Sequence, residues 1–156
     1  MTGSVFIIIP FREPFEDLYE HTLKPALEDV GLNAITTKQM SGIKWPFKKI
    51  HEGIRASEFC IADITGLNAN VMYEVGYATA AGKKVIIIWD QSEMAEPPFD
   101  VNYFMGLPYD SVKDKFWSSK LAKEIKVHAK AELNVAKPAK QVATQTHAQK
   151  ESETIA

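Results

Sequence analysis

The chain has almost no cysteine, little arginine, no surplus of either charge and no long apolar run, and each shortage removes a class of function. Its single cysteine, Cys60, excludes an intrachain disulfide and a zinc site built from several thiolates. That usage fits a reducing, cytoplasmic setting, and the expected role of the thiol is that of a small buried hydrophobe. A formal net charge of -2 gives no electrostatic case for nucleic acid or for a membrane surface. No segment reaches the roughly 20 apolar residues that span a bilayer. The apolar start, Val5 to Ile9, is short, lacks a basic leader and runs into Pro10, so a first strand is expected there and not a signal peptide.

Whole motifs are missing as well. There is no G-x-x-x-x-G-K-[ST] phosphate loop and no G-x-G-x-x-G after the first strand. No serine sits in G-x-S-x-G, and neither H-E-x-x-H nor paired cysteines occur. No cofactor and no metal is called for, and carboxylate chemistry is what remains.

What is present is a soluble globular composition, 46% hydrophobic and 24% charged over 156 residues, enough for one domain with a sizeable core. Ser4 to Ile9 and Val85 to Ile88 are unbroken apolar runs, the signature of parallel strands buried on both faces. Phe59-Cys60-Ile61-Ala62, ending in Asp63, is a third; Asn33 to Thr37 and Leu107 to Tyr109 are shorter and weaker. Helical periodicity marks residues 15–30, with Pro25 expected to kink them, and then 47–57, 70–82 and 114–130. A short turn or helix is expected from Pro98 to Val101. His51, on the second helix, is expected to be exposed or packing. The order of strands and helices, with right-handed crossovers, predicts a flavodoxin-like α/β three-layer sandwich. Its five-stranded parallel sheet has the order 2-1-3-4-5. The predicted domain covers residues 1–133. Residues 134–156, without aromatics or an apolar stripe, read as a disordered low-complexity tail in which His147 is too isolated to ligate a metal.

The acids fall at a telling place. Asp63 closes a predicted central strand, where open α/β sheets put their ligands. Asn68 and Asn70 lie in the following loop, and Glu74 flanks the Val71/Ala78 stripe of the next helix, an unfavourable place for a carboxylate without a use. Singly, the asparagines are accounted for as helix caps and Glu74 by its attraction to the helix start. Together they point to a site. The predicted strand order brings the Pro10-Phe11-Arg12 loop opposite them. Arg12 is one of only two arginines and reads either as an anchor for an anion or as a solvated loop residue.

Ala62-Asp63-Ile64-Thr65, then Asn68-x-Asn70-Val71-x-Tyr73-Glu74-Val75-Gly76-Tyr77-Ala78, then Gly82-Lys83-Lys84-Val85, resemble the core motif of the nucleoside 2-deoxyribosyltransferase-like superfamily. That superfamily includes deoxynucleoside monophosphate N-glycosidases and overlaps in architecture with TIR-type domains. The likeness is to a bacterial branch with a recurring N-x-N-V-x-Y-E-x-G-x-A-x-x-x-G-K run. It extends over Ser4 to Asp90 and more weakly to Tyr109. The resemblance implies cleavage or transfer at the N-glycosidic bond of a small-molecule nucleoside or nucleotide, with Glu74 as the nucleophile. It makes Asp63 the second catalytic carboxylate and Pro10, Phe11, Arg12, Asn68 and Asn70 substrate-binding groups, the Arg12 loop holding a 5′-phosphate. It also implies a homo-oligomer. The chain departs from the transferases in carrying Asn68 where they have an acid, and Asn70 and Met72 in place of a glycine-rich loop. Two alternatives stand beside this reading: a module that binds a nucleotide signal without catalysis, and a TIR-like NAD glycohydrolase.

Overall fold

Strand β1, Ser4–Ile8, sits in the middle of the molecule because its residues are apolar on both sides of the pleat. The computed structural model describes residues 2–40, 46–98, 105–113 and 120–135. Within them β2 (Asn33–Thr36), β3 (Phe59–Asp63), β4 (Val85–Asp90) and β5 (Gly106–Tyr109) join β1 in one five-stranded sheet. Every pairing is parallel and the order is β2-β1-β3-β4-β5. The sheet is thus the one the buried runs predict. Strand alternation sorts the core into two faces. Val5, Ile7, Ile61, Ile86 and Ile88 pack on one side, and Phe6, Ile8, Cys60, Ala62, Val85 and Ile87 on the other.

The first face is covered by a helical passage and by the C-terminal helix α5, residues 120–135, through Leu121, Ile125 and Ala129. The passage runs through α1 (Phe15–Leu18), a π-helical turn (Tyr19–Leu23) and α2 (Lys24–Glu28). The expected kink at Pro25 is absorbed by that widened turn. Lys24 N–H reaches back to the Tyr19 carbonyl, so that Pro25, with no N–H to give, opens α2 instead of interrupting a helix. The second face carries α3 (Pro46–Ala56) and α4 (Ala69–Ala80).

Helix α4 stops where its sequence says it should. Gly82 adopts φ +73°, Lys83 N–H donates to Ala78 O at 2.9 Å and Gly82 N–H to Thr79 O at 3.0 Å, which closes a Schellman motif. A 3-10 turn, Thr37–Met40, replaces the start of the loop predicted after β2. Helix α5 continues past the predicted end near Lys130. Residues 114–119, Phe99 to Val101 and 136–156 lie outside the described residues. Among the described residues no helix is long and apolar enough to cross a membrane.

Candidate active site

The β1–β3 boundary is the topological switch point of the sheet, because the chain leaves β1 toward β2 and returns on the other side as β3. At the carboxyl ends of these strands lies a cavity of about 320 Å³. Ile9, Pro10 and Phe11 after β1 form one wall, and Thr37 after β2 adds to it. Pro46, Phe47 and Ile50 of α3 form another, and Asn68, Asn70, Val71, Tyr73 and Glu74 close it.

The β3–α4 loop shapes the last wall. Gly66 (φ +73°) and then Leu67 (φ +52°) both adopt left-handed backbone, a conformation that costs a leucine energy and concentrates at functional sites. Asn68 follows as the N-cap of α4: its Oδ1 accepts from Asn70 N–H at 3.0 Å and Val71 N–H at 3.2 Å. Capping and site are therefore not alternatives for this residue. The cap uses the amide oxygen, and the same residue lines the cavity.

Glu74 is half-buried, and burial pushes its carboxyl up to about 7. It lies in the second turn of α4, beyond the stretch where a helix start most strongly favours an anion. Desolvation is thus what governs it. Around the mouth stand three aromatic rings more than half exposed: Phe11 at 54%, Phe47 at 64% and Tyr73 at 54%. Phe47 meets Tyr73 edge-on at 6.3 Å, a contact that uses at most one ring face of the two. The Tyr73 hydroxyl lies 3.4 Å from His51 Nε2, and His51 stacks on Tyr77 at 3.7 Å. His51 and Tyr77 are therefore packing residues that brace Tyr73 from behind.

Two expected site residues lie elsewhere. Asp63 is fully buried and is not part of the cavity wall. Its Oδ1 accepts from Thr65 N–H at 2.9 Å and its Oδ2 from the Tyr109 hydroxyl at 2.7 Å. Burial drives its carboxyl up to about 6 against the pull of these bonds, and raises the Tyr109 phenol too. Arg12 sits on the exposed β1–α1 loop, its guanidinium 5.0 Å above the Phe15 ring, and it too is absent from the cavity wall. The structure thus brings together Pro10, Phe11, Asn68, Asn70 and Glu74, and not Asp63 or Arg12. Neighbouring Asp90 is buried as well, but hydrogen bonds from Ser111 and Ser92 outweigh its desolvation and hold its carboxyl low.

Thr37, Pro46, Phe47, Ile50 and Tyr73 escaped the sequence reading. Only Tyr73, beside Glu74 in the quoted motif, carried a local signal. Among the described residues no group of three or more histidines, cysteines and acids is placed to hold a metal ion.

No protein-family model and no curated protein matches the chain. Solved structures do. A 2-deoxyribosyltransferase from Bacillus psychrosaccharolyticus superposes with a TM-score of 0.57 at 14% identity, covering 76% of this chain and 90% of that one. A CMP N-glycosidase from Clostridium botulinum gives 0.55 at 20% identity, covering 76% of this chain and 97% of that one. With its parallel 2-1-3-4-5 sheet and helices on both faces, the chain shares the α/β three-layer fold of these two structures.

Proposed function

We propose that the protein breaks the N-glycosidic bond of a nucleoside or nucleotide, with Glu74 as the nucleophile. The observation that carries this reading is the placement of one desolvated carboxylate in a cavity walled by asparagine amides and exposed aromatic rings. Aromatic faces suit a planar base, and amides suit sugar hydroxyls. In the ionised state a Glu74 oxygen bonds to C1′ as the C1′–N bond breaks, and the base leaves with the bonding pair and takes a proton from solvent. The ester so formed is resolved when water or a second base attacks C1′ and frees the carboxylate. An oxocarbenium-like transition state gains from a negative charge held this close. The two solved relatives are named as enzymes for this class of chemistry, which supports the reading.

A cavity of about 320 Å³ stands at the small end for ligand sites. That favours a nucleoside or mononucleotide over a dinucleotide such as NAD. One observation supports the rival reading of a binding module: with Asp63 outside the wall, Glu74 is the only carboxylate among the described lining residues.

The deciding experiment is chromatographic detection of free base after incubation with deoxynucleosides, nucleoside monophosphates and NAD, beside the Glu74→Ala variant. Release that disappears in the variant supports the glycosidase. If no base appears, while a nucleoside raises Tm in both proteins, the binding module replaces it.

A further inference from the structure

We infer that Asp63 is a positioning residue: gripped by Tyr109 and Thr65, it holds the β3–α4 loop in the shape that presents Asn68 and Glu74 to the cavity. For its catalytic consequence this rests on the function proposed above, but the holding itself does not.

A general acid or a sugar ligand must come within hydrogen-bond reach of the substrate. Asp63 is 0% exposed, and each of its oxygens already accepts a bond from the protein. Its partners come from two directions. Thr65 N–H, two residues on, closes a local turn onto Oδ1, while the Tyr109 hydroxyl arrives on Oδ2 from β5, 46 residues away. Thr65 extends the tie, since its Oγ1 accepts Asp90 N–H at 2.8 Å from the end of β4. Ile64 N–H donates to Ile88 O at 3.1 Å. The carboxyl ends of three strands are thus fastened at the point where the loop departs.

What this fastening holds is a shape the loop would not keep alone. Leu67 N–H closes on Ile64 O at 2.9 Å, Gly66 and Leu67 turn left-handed in succession, and Asn68 then caps α4. A leucine in that backbone region persists only where its surroundings over-determine it. The buried Asp63 bonds, immediately upstream, supply that constraint. Glu74 follows on the helix whose start the loop sets.

Amide hydrogen exchange over residues 64–72 tests this directly, in the full chain and in Tyr109→Phe, Asp63→Ala and Asp63→Asn. Asparagine keeps an acceptor for Thr65 N–H and turns an amino group toward the Tyr109 oxygen, so it preserves the grip without the charge. We expect exchange in 64–72 to quicken about tenfold or more in Tyr109→Phe and Asp63→Ala, with β1 unchanged, and to return to wild-type rates in Asp63→Asn. Base release should follow the same order. A misplaced nucleophile costs kcat about 10- to 100-fold in Tyr109→Phe, and Asp63→Asn recovers to within about threefold, its pH profile keeping the ionisation near 7 assigned to Glu74. If Asp63→Ala does not fold, Tyr109→Phe against Asp63→Asn makes the same comparison. The inference is overturned if Tyr109→Phe exchanges like wild type. It is equally overturned if Asp63→Asn has wild-type exchange and yet has lost kcat or the pH profile, since Asp63 would then act through its charge. Should the wild type release no base, the exchange rates alone decide the inference, and only the proposed function falls.

Discussion

Glu74 shows how one side chain ties stability to chemistry. Burial raises its carboxyl from 4.5 to about 7, so at neutral pH the folded protein holds a group half-protonated that the unfolded chain would ionise fully. A nucleophile must be ionised, and kcat/KM for base release is expected to rise through pH about 7 and level off above it. Glu74→Gln, which removes the nucleophile but keeps the shape, should lower kcat by at least about 10³-fold. The same variant should be more stable than wild type, because the amide carries no charge to desolvate. The sign is definite. A carboxyl whose folded pKa is raised contributes its stability below the unfolded value and loses it as pH climbs through the folded value. At pH 4 wild type and Glu74→Gln should melt nearly together, and at pH 8 the variant should be higher by on the order of 1–3 kcal/mol. Thermal melts at the two pH values check this, and a difference that is the same at both would mean that Glu74 is not desolvated.

At the scale of elements, the β3–α4 unit carries both the legible part of the site and its strain. Asn68→Ala removes the acceptor of two backbone bonds at the start of α4 and should cost about 1 kcal/mol, while Asn68→Asp, which keeps an acceptor, should cost little. Leu67→Gly relieves a left-handed leucine whose side chain is 45% exposed and should gain up to about 1 kcal/mol. Denaturant midpoints for the three variants read these signs. That Asn68, Asn70 and Glu74, which line the cavity, could be singled out from the sequence is a matter of distance along the chain: strand, loop and helix succeed one another within a few residues, so capping residues and an acid beside an apolar stripe mark the candidate site locally. The buried strands were legible for a similar reason, each being an apolar run of its own. Phe47 and Ile50 were not, because what makes them cavity residues is the packing of α3 beside α4, which no local periodicity encodes. Tyr109 was hidden more deeply. Its hydroxyl meets Asp63 only because β5 lies two strands from β3 in the finished sheet. Arg12 stands in the expected loop, but its guanidinium lies over the ring of Phe15 three residues on and not in the cavity wall.

For the molecule as a whole, three buried or half-buried acids set opposing slopes of stability against pH. Asp63, raised from 3.8 to about 6, and Glu74, raised from 4.5 to about 7, both bind protons more readily in the folded state. Their contributions are complete below about pH 4 and fade as pH rises toward about 7. Asp90, held low by Ser92 and Ser111, works the other way: its contribution is present above the ordinary carboxylate range and is lost as pH falls through its lowered folded value. Between these limits lies a window in which Asp90 is still ionised and the other two are still largely protonated. The part of stability set by these three groups is therefore expected to peak near or below about pH 4, where Asp90 begins to lose its contribution, and to decline from there toward about pH 7. A Tm profile from pH 3 to 9 should show that alkaline fall, which should become shallower in Glu74→Gln and shallower still when Asp63→Asn is added. A flat alkaline side in wild type would mean that neither carboxyl is held protonated by burial. That result would also remove the basis for expecting base release to depend on an ionisation near 7, since the stability slope and the catalytic limb rest on the same Glu74 proton.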